Sequence, residues 1–511
     1  MSQNELLALL PLILVVGLAM AVVIIDIVLP DRDDLISAIA SGGLIVTLIV
    51  IAVCGPLPGG VGLLPREGVQ LFVDSSGSGV IVRDQLTAFL DLTFVVIALL
   101  SLLFAVDYLK PRGLPMAEFT ATLLFAISGA MVLGSGRDLL ILFLGLELLV
   151  LPGYMLAGYA KRDGLSTEGA IKYFLLGSFS SAIFLFGLAL VLGFTGSTRV
   201  AAIADVLAGV AAGNAPLSLG LAMGLALLTT GVAFKIAAVP FHYWTPDAYQ
   251  GSPTPVTGYL SVGPKIAAFA LILRLFVDAL APLKADWLPF VIVLAATTMT
   301  LGNLVAVTQD NIKRMLAYSS IAHTGYMLVG LAAYAGAAAG SPAEAQGLEA
   351  LLFYGAIYSF MNLGAFACVA ALQRRPGVTS QIASFAGLGR RAPLLGVAMT
   401  LFMLSLTGIP PTAGFFAKAL VIIAAVNTGG WVAFLAVLMM LNAAAAAFYY
   451  LRVVVYMYMR EAPDGARPVS IGNFTRAGLI VSAALTVVIG VVPPVTTAVI
   501  DMAREAARAL L

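Results

Sequence analysis

Charge is what this sequence has least of. Only 10% of its 511 residues are Asp, Glu, Lys or Arg, against roughly a quarter in an ordinary soluble domain. The net charge is +1, so no basic surface points to nucleic acid or to strong attraction by anionic lipid. Histidine and cysteine are scarce as well, with 2 residues of each. Cys54 and Cys368 lie in or beside apolar runs, form no Cys-x-x-Cys motif and read as small buried hydrophobes. So few donors exclude an iron–sulfur, haem or zinc centre built from this chain alone. Also missing is any polar stretch long enough for a separate catalytic module.

What remains is apolar sequence, 61% of the chain. Runs of about 18 or more apolar residues recur throughout, each able to cross a hydrocarbon layer of about 30 Å. The expected fold is an all-α polytopic membrane protein of about fourteen transmembrane helices, with spans near 6–29, 35–58, 84–109, 116–135, 138–160, 165–195, 217–250, 255–282, 287–308, 311–336, 347–373, 392–427, 429–459 and 472–499. The first run follows Glu5 and has no basic flank, so it reads as a spanning helix rather than a cleaved signal peptide. Segment 55–83 is glycine-rich and polar, which suits an external loop or a short hairpin. The seventh and twelfth spans are too long for one straight crossing, and both contain proline.

Lysine and arginine set the orientation. With the N-terminus outside, the inner loops hold 14 of them, among them Lys110, Arg112, Lys161, Arg162, Lys313, Arg314, Arg375 and Arg467, and the outer side holds 7. That two-to-one excess places both termini outside. Six basic residues remain inside spans: Lys172, Lys235, Lys265, Arg274, Lys418 and Arg452, joined by Glu147. A charge at the centre of a helix costs about 2.5–3.5 kcal/mol even on a gentle scale, so such residues face a bundle interior, pair, or touch water. Arg274 and Arg452 are close enough to a span end to snorkel. Glu147, Lys235, Lys265 and Lys418 lie too deep for that. Lys172 is shallower and is expected to partner Glu147 from the next helix.

Buried lysine is suited to carrying protons. Desolvation and a nearby cation favour the neutral amine, while a carboxylate opposes both. Moving one neighbouring charge can therefore load or unload it. Arginine cannot serve, because it stays protonated. A row of lysines with one glutamate can pass protons laterally, whereas a metal-cation pore would show rings of carboxylates or carbonyls.

Lys235 precedes Pro240 in Lys235-Ile236-Ala237-Ala238-Val239-Pro240, and Lys418 follows Pro410-Pro411. Proline removes a helix hydrogen bond and clashes with the preceding turn, so both spans should break there. Broken helices beside a charge are how transporters build ion sites. The chain also echoes itself: Gly153-Tyr154-Met155-Leu156 recurs as Gly325-Tyr326-Met327-Leu328. Span five then maps onto ten and seven onto twelve, which implies two five-helix repeats. An odd repeat must be inverted in the membrane. The expected organisation of this single transmembrane domain is 1–115 for the first three helices, 116–282 for the first repeat, 287–460 for the inverted second repeat, and 461–511 for the last helix and tail. His323, in span ten, is a candidate shuttle, and His242 follows the first break. Lys313 reads as a topological anchor.

Three stretches carry a resemblance: Lys235 to Val256, followed by Lys265 in Gly263-Pro264-Lys265; Asn311 to His323; and Pro410 to Lys418. Together they resemble the antiporter-like membrane subunits of respiratory complex I, the proton-translocating NADH–quinone oxidoreductase, along essentially the whole chain. The resemblance implies fourteen helices, two inverted repeats and a hydrophilic axis in the membrane arm. It matches Glu147, Lys235, Lys265 and Lys418 to the proton relay, and Lys172 and His323 to its partners. Lysine at 418, where one sibling subunit carries glutamate, and an end soon after span fourteen, where another continues into a lateral helix, narrow the choice within the family. The implied role is a non-redox subunit of a translocase in a bacterial inner membrane. FMN, iron–sulfur clusters and quinone would lie on other subunits, and the partners would be the sibling membrane-arm subunits and the lipid bilayer. The main alternative is a subunit of a multi-subunit sodium/proton antiporter; a membrane subunit of a hydrogenase and a stand-alone transporter follow. The expected mechanism starts from a charge change in a neighbouring subunit that alters the Glu147–Lys235 pairing and sends a proton by Lys265 and His323 toward Lys418.

Overall fold

The structure is a computed structural model that describes residues 2–511 except 31, 59–61, 74–78, 375, 376, 378 and 463–468. Arg375 and Arg467 therefore lie outside the described residues. In chain order the elements are α1 (Gln3–Val28), α2 (Asp33–Cys54), β1 (Val69–Val73), β2 (Gly79–Arg83), α3 (Gln85–Leu109), α4 (Met116–Ser135), α5 (Leu139–Ala157), α6 (Gly164–Thr195), α7 (Val200–Ala211), α8 (Leu219–Lys235), α9 (Trp244–Gly251), α10 (Thr254–Ile272), α11 (Lys284–Val307), α12 (Ile312–Gly336), α13 (Pro342–Leu372), α14 (Leu388–Arg391), α15 (Pro393–Thr407), α16 (Ala413–Thr428), α17 (Gly430–Met459), α18 (Asn473–Val491) and α19 (Pro493–Arg508).

The chain is an all-α polytopic membrane protein. Among the described residues, 11 helices are long and apolar enough to cross a bilayer. Three more crossings are α12, whose serines, tyrosines and histidine make it more polar, and two split ones, α8 with α9 and α15 with α16. The starts of the helices are chemical. Asp84, Asp138, Asp163, Ser218 and Asn311 each accept a first-turn backbone N–H of the helix they precede, which satisfies donors that no helix can pair internally.

Burial separates the centre from the lipid face. Every residue of α10 is buried, and α13 is nearly so. The outward faces of α1, α2, α6 and α17 carry exposed Leu, Ile, Val and Phe. Lipid is as apolar as those side chains, so helix association depends on close approach at small residues. A Cβ on Gly302 of α11 would meet the Ala322 backbone nitrogen of α12 at 2.6 Å, and a Cβ on Gly129 of α4 would meet the Leu149 nitrogen of α5 at 2.5 Å. Gly302→Val must push α11 from α12. Overpacking of this kind costs about 1–3 kcal/mol, so we expect a lower unfolding temperature for the purified protein; an unchanged one would show that the contact tolerates separation.

One arrangement occurs twice. The loop before α5 pairs with the chain after α6, through Leu139 N–H to the Thr198 carbonyl at 2.8 Å and Val200 N–H to the Arg137 carbonyl at 3.1 Å. The loop before α12 pairs with the chain after α13 in the same way, through Ile312 N–H to Ser380 at 2.8 Å and Ile382 N–H to Asp310 at 2.8 Å. Loop cations gather around two cavities. Arg112, Lys161, Arg162 and Lys313 line one polar cavity of about 930 Å³, while Arg66, Arg137 and Arg508 line another of about 270 Å³ elsewhere on the molecule.

Some expectations hold and others need correction. Segment 55–83 does contain a hairpin, β1 paired antiparallel with β2. The last span ends at Val491 rather than 499, because Pro493 and Pro494 start a separate helix, where proline is tolerated. Arg274 does not snorkel. It is fully buried, and its guanidinium reaches Asp84 and Asp278, each at 3.3 Å, and donates to the Gly134 carbonyl at 3.0 Å. Beyond Ile272 the helix continues as a π-helical stretch, Leu273–Ala279, that carries Arg274 and Asp278. Such widened turns often mark a position where side chains must be re-aimed. Arg452 behaves as expected, reaching back to the Gln309 carbonyl.

Candidate functional site

Lys235 closes α8. Its ammonium donates to Ser181 Oγ at 3.0 Å and to the Gly177 carbonyl at 3.3 Å, both on α6. The helix stops there because Ala237 takes a left-handed conformation, φ 56°, and because Pro240 has no N–H to give. The break frees backbone groups, and other helices satisfy them. Trp244 Nε1 donates to the Phe234 carbonyl at 3.2 Å, Thr324 to the Ile236 carbonyl at 2.9 Å, and Val239 N–H to Thr298 at 3.0 Å.

Lys418 uses the second break directly. Its ammonium donates to the Leu406 carbonyl at 2.9 Å and to the Thr407 carbonyl at 2.7 Å, in the last turn of α15. Those carbonyls have no intrahelical partner and form the negative end of a helix dipole, a natural seat for a cation. Gly408 is required twice over. Its φ is 89°, and a Cβ there would meet Lys418 Cδ at 2.8 Å.

Between the breaks lies Lys265 on α10, which donates to the Ser320 carbonyl at 2.6 Å and to Ser320 Oγ at 2.7 Å on α12. One turn on, His323 contacts the Tyr354 hydroxyl through Nδ1 at 2.7 Å and the Tyr450 hydroxyl through Nε2 at 3.1 Å. Tyr450 also bonds Ser319. Both Lys265 and Lys418 act electrostatically on His323, which lies within the field of both. A further buried set continues outward from Tyr326: Asn303 Nδ2 donates to its hydroxyl at 2.8 Å, and Tyr449 donates to Asn303 Oδ1 at 2.9 Å.

None of Lys235, Lys265 and Lys418 forms an ion pair among the described residues. Each rests on neutral hydroxyl and carbonyl oxygens. Glu147 of α5 is the carboxylate whose charge reaches Lys235, but its Oε1 is buried without a partner among the described residues. Lys172 is not brought to Glu147. It pairs with Glu168 at 2.6 Å and with Asp247 of α9 at 2.8 Å, and Arg314 holds the other Asp247 oxygen at 2.6 Å. The physical reason is helix position: Lys172 sits a turn and a half before Gly177 on α6, level with α9 rather than with the deep part of α5. His242 is buried at the break with Nδ1 unpartnered, its ring stacked on Tyr243 at 4.6 Å. Lys313 is buried and donates to the Gln250 carbonyl at 2.8 Å and the Ser252 carbonyl at 2.5 Å, an anchor holding α12 to α9.

Hydroxyls are what sequence reasoning missed: Ser181, Ser320, Tyr354 and Tyr450 join the charged residues. A signal was available. Tyr318, Ser319, Ser320, His323, Thr324 and Tyr326 crowd one helix whose buried face tolerates them only if partners exist.

Residues 136–442 match the family model described as NADH:quinone oxidoreductase/Mrp antiporter, TM. The chain belongs to that family. Within the NADH:quinone oxidoreductase/Mrp antiporter family it is similar to "NADH-quinone oxidoreductase subunit N 1" of Koribacter versatilis, at 41% identity over 98% of this chain and 96% of the relative. It is 38% identical to "NADH-quinone oxidoreductase subunit N" of Trichlorobacter lovleyi, over 98% and 96%. Among solved structures, a chain of respiratory complex I from Thermus thermophilus with bound aureothin shares 31% identity, covers 95% of this chain and 98% of its own, and superposes with a TM-score of 0.73. A chain of the Mrp complex from Dietzia sp. DQ12-45-1b superposes at 0.83 over 100% and 98%, but at 22% identity it speaks for the fold alone.

Proposed function

We propose that this chain is the subunit N type of membrane-arm subunit in a proton-translocating NADH–quinone oxidoreductase. The observation that carries the reading is the axis itself: Lys235, Lys265 and Lys418, buried and without ion pairs, with His323 and its two tyrosines between the last two. Relatives of 38–41% identity along nearly the whole chain support the choice of complex. In this reading Glu147 and Lys235 form the switchable pair, Lys265 connects, His323 shuttles, and Lys418 is the terminal site. Lys172 holds α9 in place through Asp247 rather than carrying the proton.

The blocks 116–282 and 287–460 act as two inverted repeats, and the doubled loop pairing around α5 and α12 supports that division. Redox chemistry occurs on other subunits, where FMN, iron–sulfur clusters and quinone are bound, and this chain converts the resulting charge change into proton movement. It sits in the bacterial inner membrane beside its antiporter-like siblings, with both termini outside. The cavity lined by Arg112 and Lys313 then faces the cytoplasm. An affinity-tagged chain, extracted in mild detergent from its own membranes, should bring down sibling membrane subunits together with NADH–quinone reductase activity. Recovery with sodium/proton antiporter subunits and no NADH oxidation would overturn the reading.

A further inference from the structure

The Gly-Tyr-Met-Leu echo places a tyrosine near a lysine at the helix break in each half of the molecule. Tyr326 lies by Lys418, whose Nζ is 5.2 Å from the ring centroid, and its hydroxyl is held by Asn303. Tyr154 occupies the matching position near Lys235, yet its hydroxyl is buried against Ser181 without a well-formed hydrogen bond among the described residues. A Cβ on Gly177 would collide with that hydroxyl. The phenol oxygen therefore lies against the residue whose carbonyl accepts from Lys235, and beside Ser181, which accepts from the same ammonium.

Glu147 is seven residues earlier on α5, about 10 Å along the axis. Helical side chains lean toward the helix N-terminus, so Tyr154 leans back toward Glu147, whose charge acts on the phenol. Glu147 Oε1 is likewise buried without a well-formed hydrogen bond among the described residues. Buried polar atoms without partners are rare and mark unfinished networks. Two of them on one helix, with the Glu147 charge acting on both the phenol and the buried Lys235, point to a contact that closes during function. The ring itself is held firmly. Tyr173 packs edge-on at 4.7 Å and Phe174 at 5.6 Å, and Tyr173 in turn stacks on Trp244, the first residue of α9, at 4.5 Å. A shift of the broken helix would thus reach the phenol through two rings.

We propose that the Tyr154 hydroxyl is the proton bridge between Lys235 and Glu147, a step that rests on the relay reading above. When the bridge closes, an N–H bond of the Lys235 ammonium breaks as its proton joins Tyr154 Oη. The phenol's own proton leaves together with it and forms an O–H bond on a Glu147 carboxylate oxygen. A neutral amine, an unchanged phenol and a carboxylic acid result, and the total charge is conserved. The reverse transfer restores the separated charges. Gly177 belongs to the same device, since any side chain there would occupy the place of the hydroxyl.

The test uses the assembled complex in inside-out membrane vesicles, with NADH-driven proton uptake read against the amount of complex. Tyr154→Phe keeps the ring and its packing and removes the proton carrier. Uptake should fall by at least about tenfold, given that a positioned proton carrier is worth about 10²–10⁴ in the step it serves. Tyr154→Phe combined with Glu147→Gln should be no worse than Glu147→Gln alone, because both cut one connection. Multiplying effects would indicate separate packing roles and overturn the bridge. Full uptake by Tyr154→Phe, with Glu147→Gln and Lys235→Met impaired, would overturn the bridge and leave the relay intact; full uptake by all three would overturn the relay itself. If the phenylalanine variant assembles poorly, a fluorotyrosine at 154 keeps the shape and makes the hydroxyl more acidic. It must change the uptake rate, and an unchanged rate again overturns the proposal.

Discussion

Converting Lys235 to methionine should reduce coupled proton pumping by about tenfold or more, since in the proposed relay it deletes a proton carrier rather than a packing group, while the assembled complex remains abundant. Methionine is similar in length and is at home in an apolar interior. The lysine's two acceptors are a serine hydroxyl, Ser181, and a helical carbonyl, Gly177. Neither is left as an unpaired charge when the ammonium goes, so the fold loses little. Lys418 presents a contrast within the same molecule. Its ammonium covers the Leu406 and Thr407 carbonyls at a break, and methionine there would leave two buried acceptors empty as well as remove the proposed terminal site. The measurement is proton uptake per NADH oxidised in vesicles, normalised to complex content. Normal pumping by a fully assembled Lys235→Met complex would mean that this lysine is not in the path.

The second large effect concerns stability. Arg274→Met should lower the stability of the protein by about 3–5 kcal/mol, the range for removing one partner from a buried charge cluster. The guanidinium is 0% exposed and reaches Asp84 and Asp278, both nearly buried, at 3.3 Å each. Arg137 offers only part replacement, at 3.8 Å from Asp84 and 3.5 Å from Asp278, and it is a third exposed. Two carboxylates would remain with too little positive charge. The readout is the yield of folded protein in the membrane together with its thermal unfolding in detergent. Neutralising the partners, in Arg274→Met with Asp84→Asn and Asp278→Asn, should recover most of the loss. Wild-type yield from the single variant would show that the cluster is dispensable.

These two sites differ in how visible they were in the sequence. Lys235 could be picked out because a lysine deep in an apolar run has few roles, and Pro240 showed where the helix would break. Arg274 looked able to snorkel, since its distance from the span end allowed it. Its burial depends on Asp84, just before α3, and Gly134 of α4, far away in the chain. The Lys172 reading went astray for a similar reason. Sequence spacing puts Lys172 inside a span, but the folded α9 brings Asp247 to it, and Arg314 completes the group.

By itself the sequence determined that this is a multi-crossing membrane protein, where two crossings break, and which charges are too deep to be casual. Those properties follow from hydropathy, proline and the cost of burying charge, and all three act locally. Only the tertiary structure decided what each charge touches. Lys418 faces carbonyls freed by a break, Lys265 faces Ser320, and His323 is held between Tyr354 and Tyr450. Hydrogen bonds reach about 3 Å, and the residues that satisfy that limit here come from helices that meet only in the folded bundle.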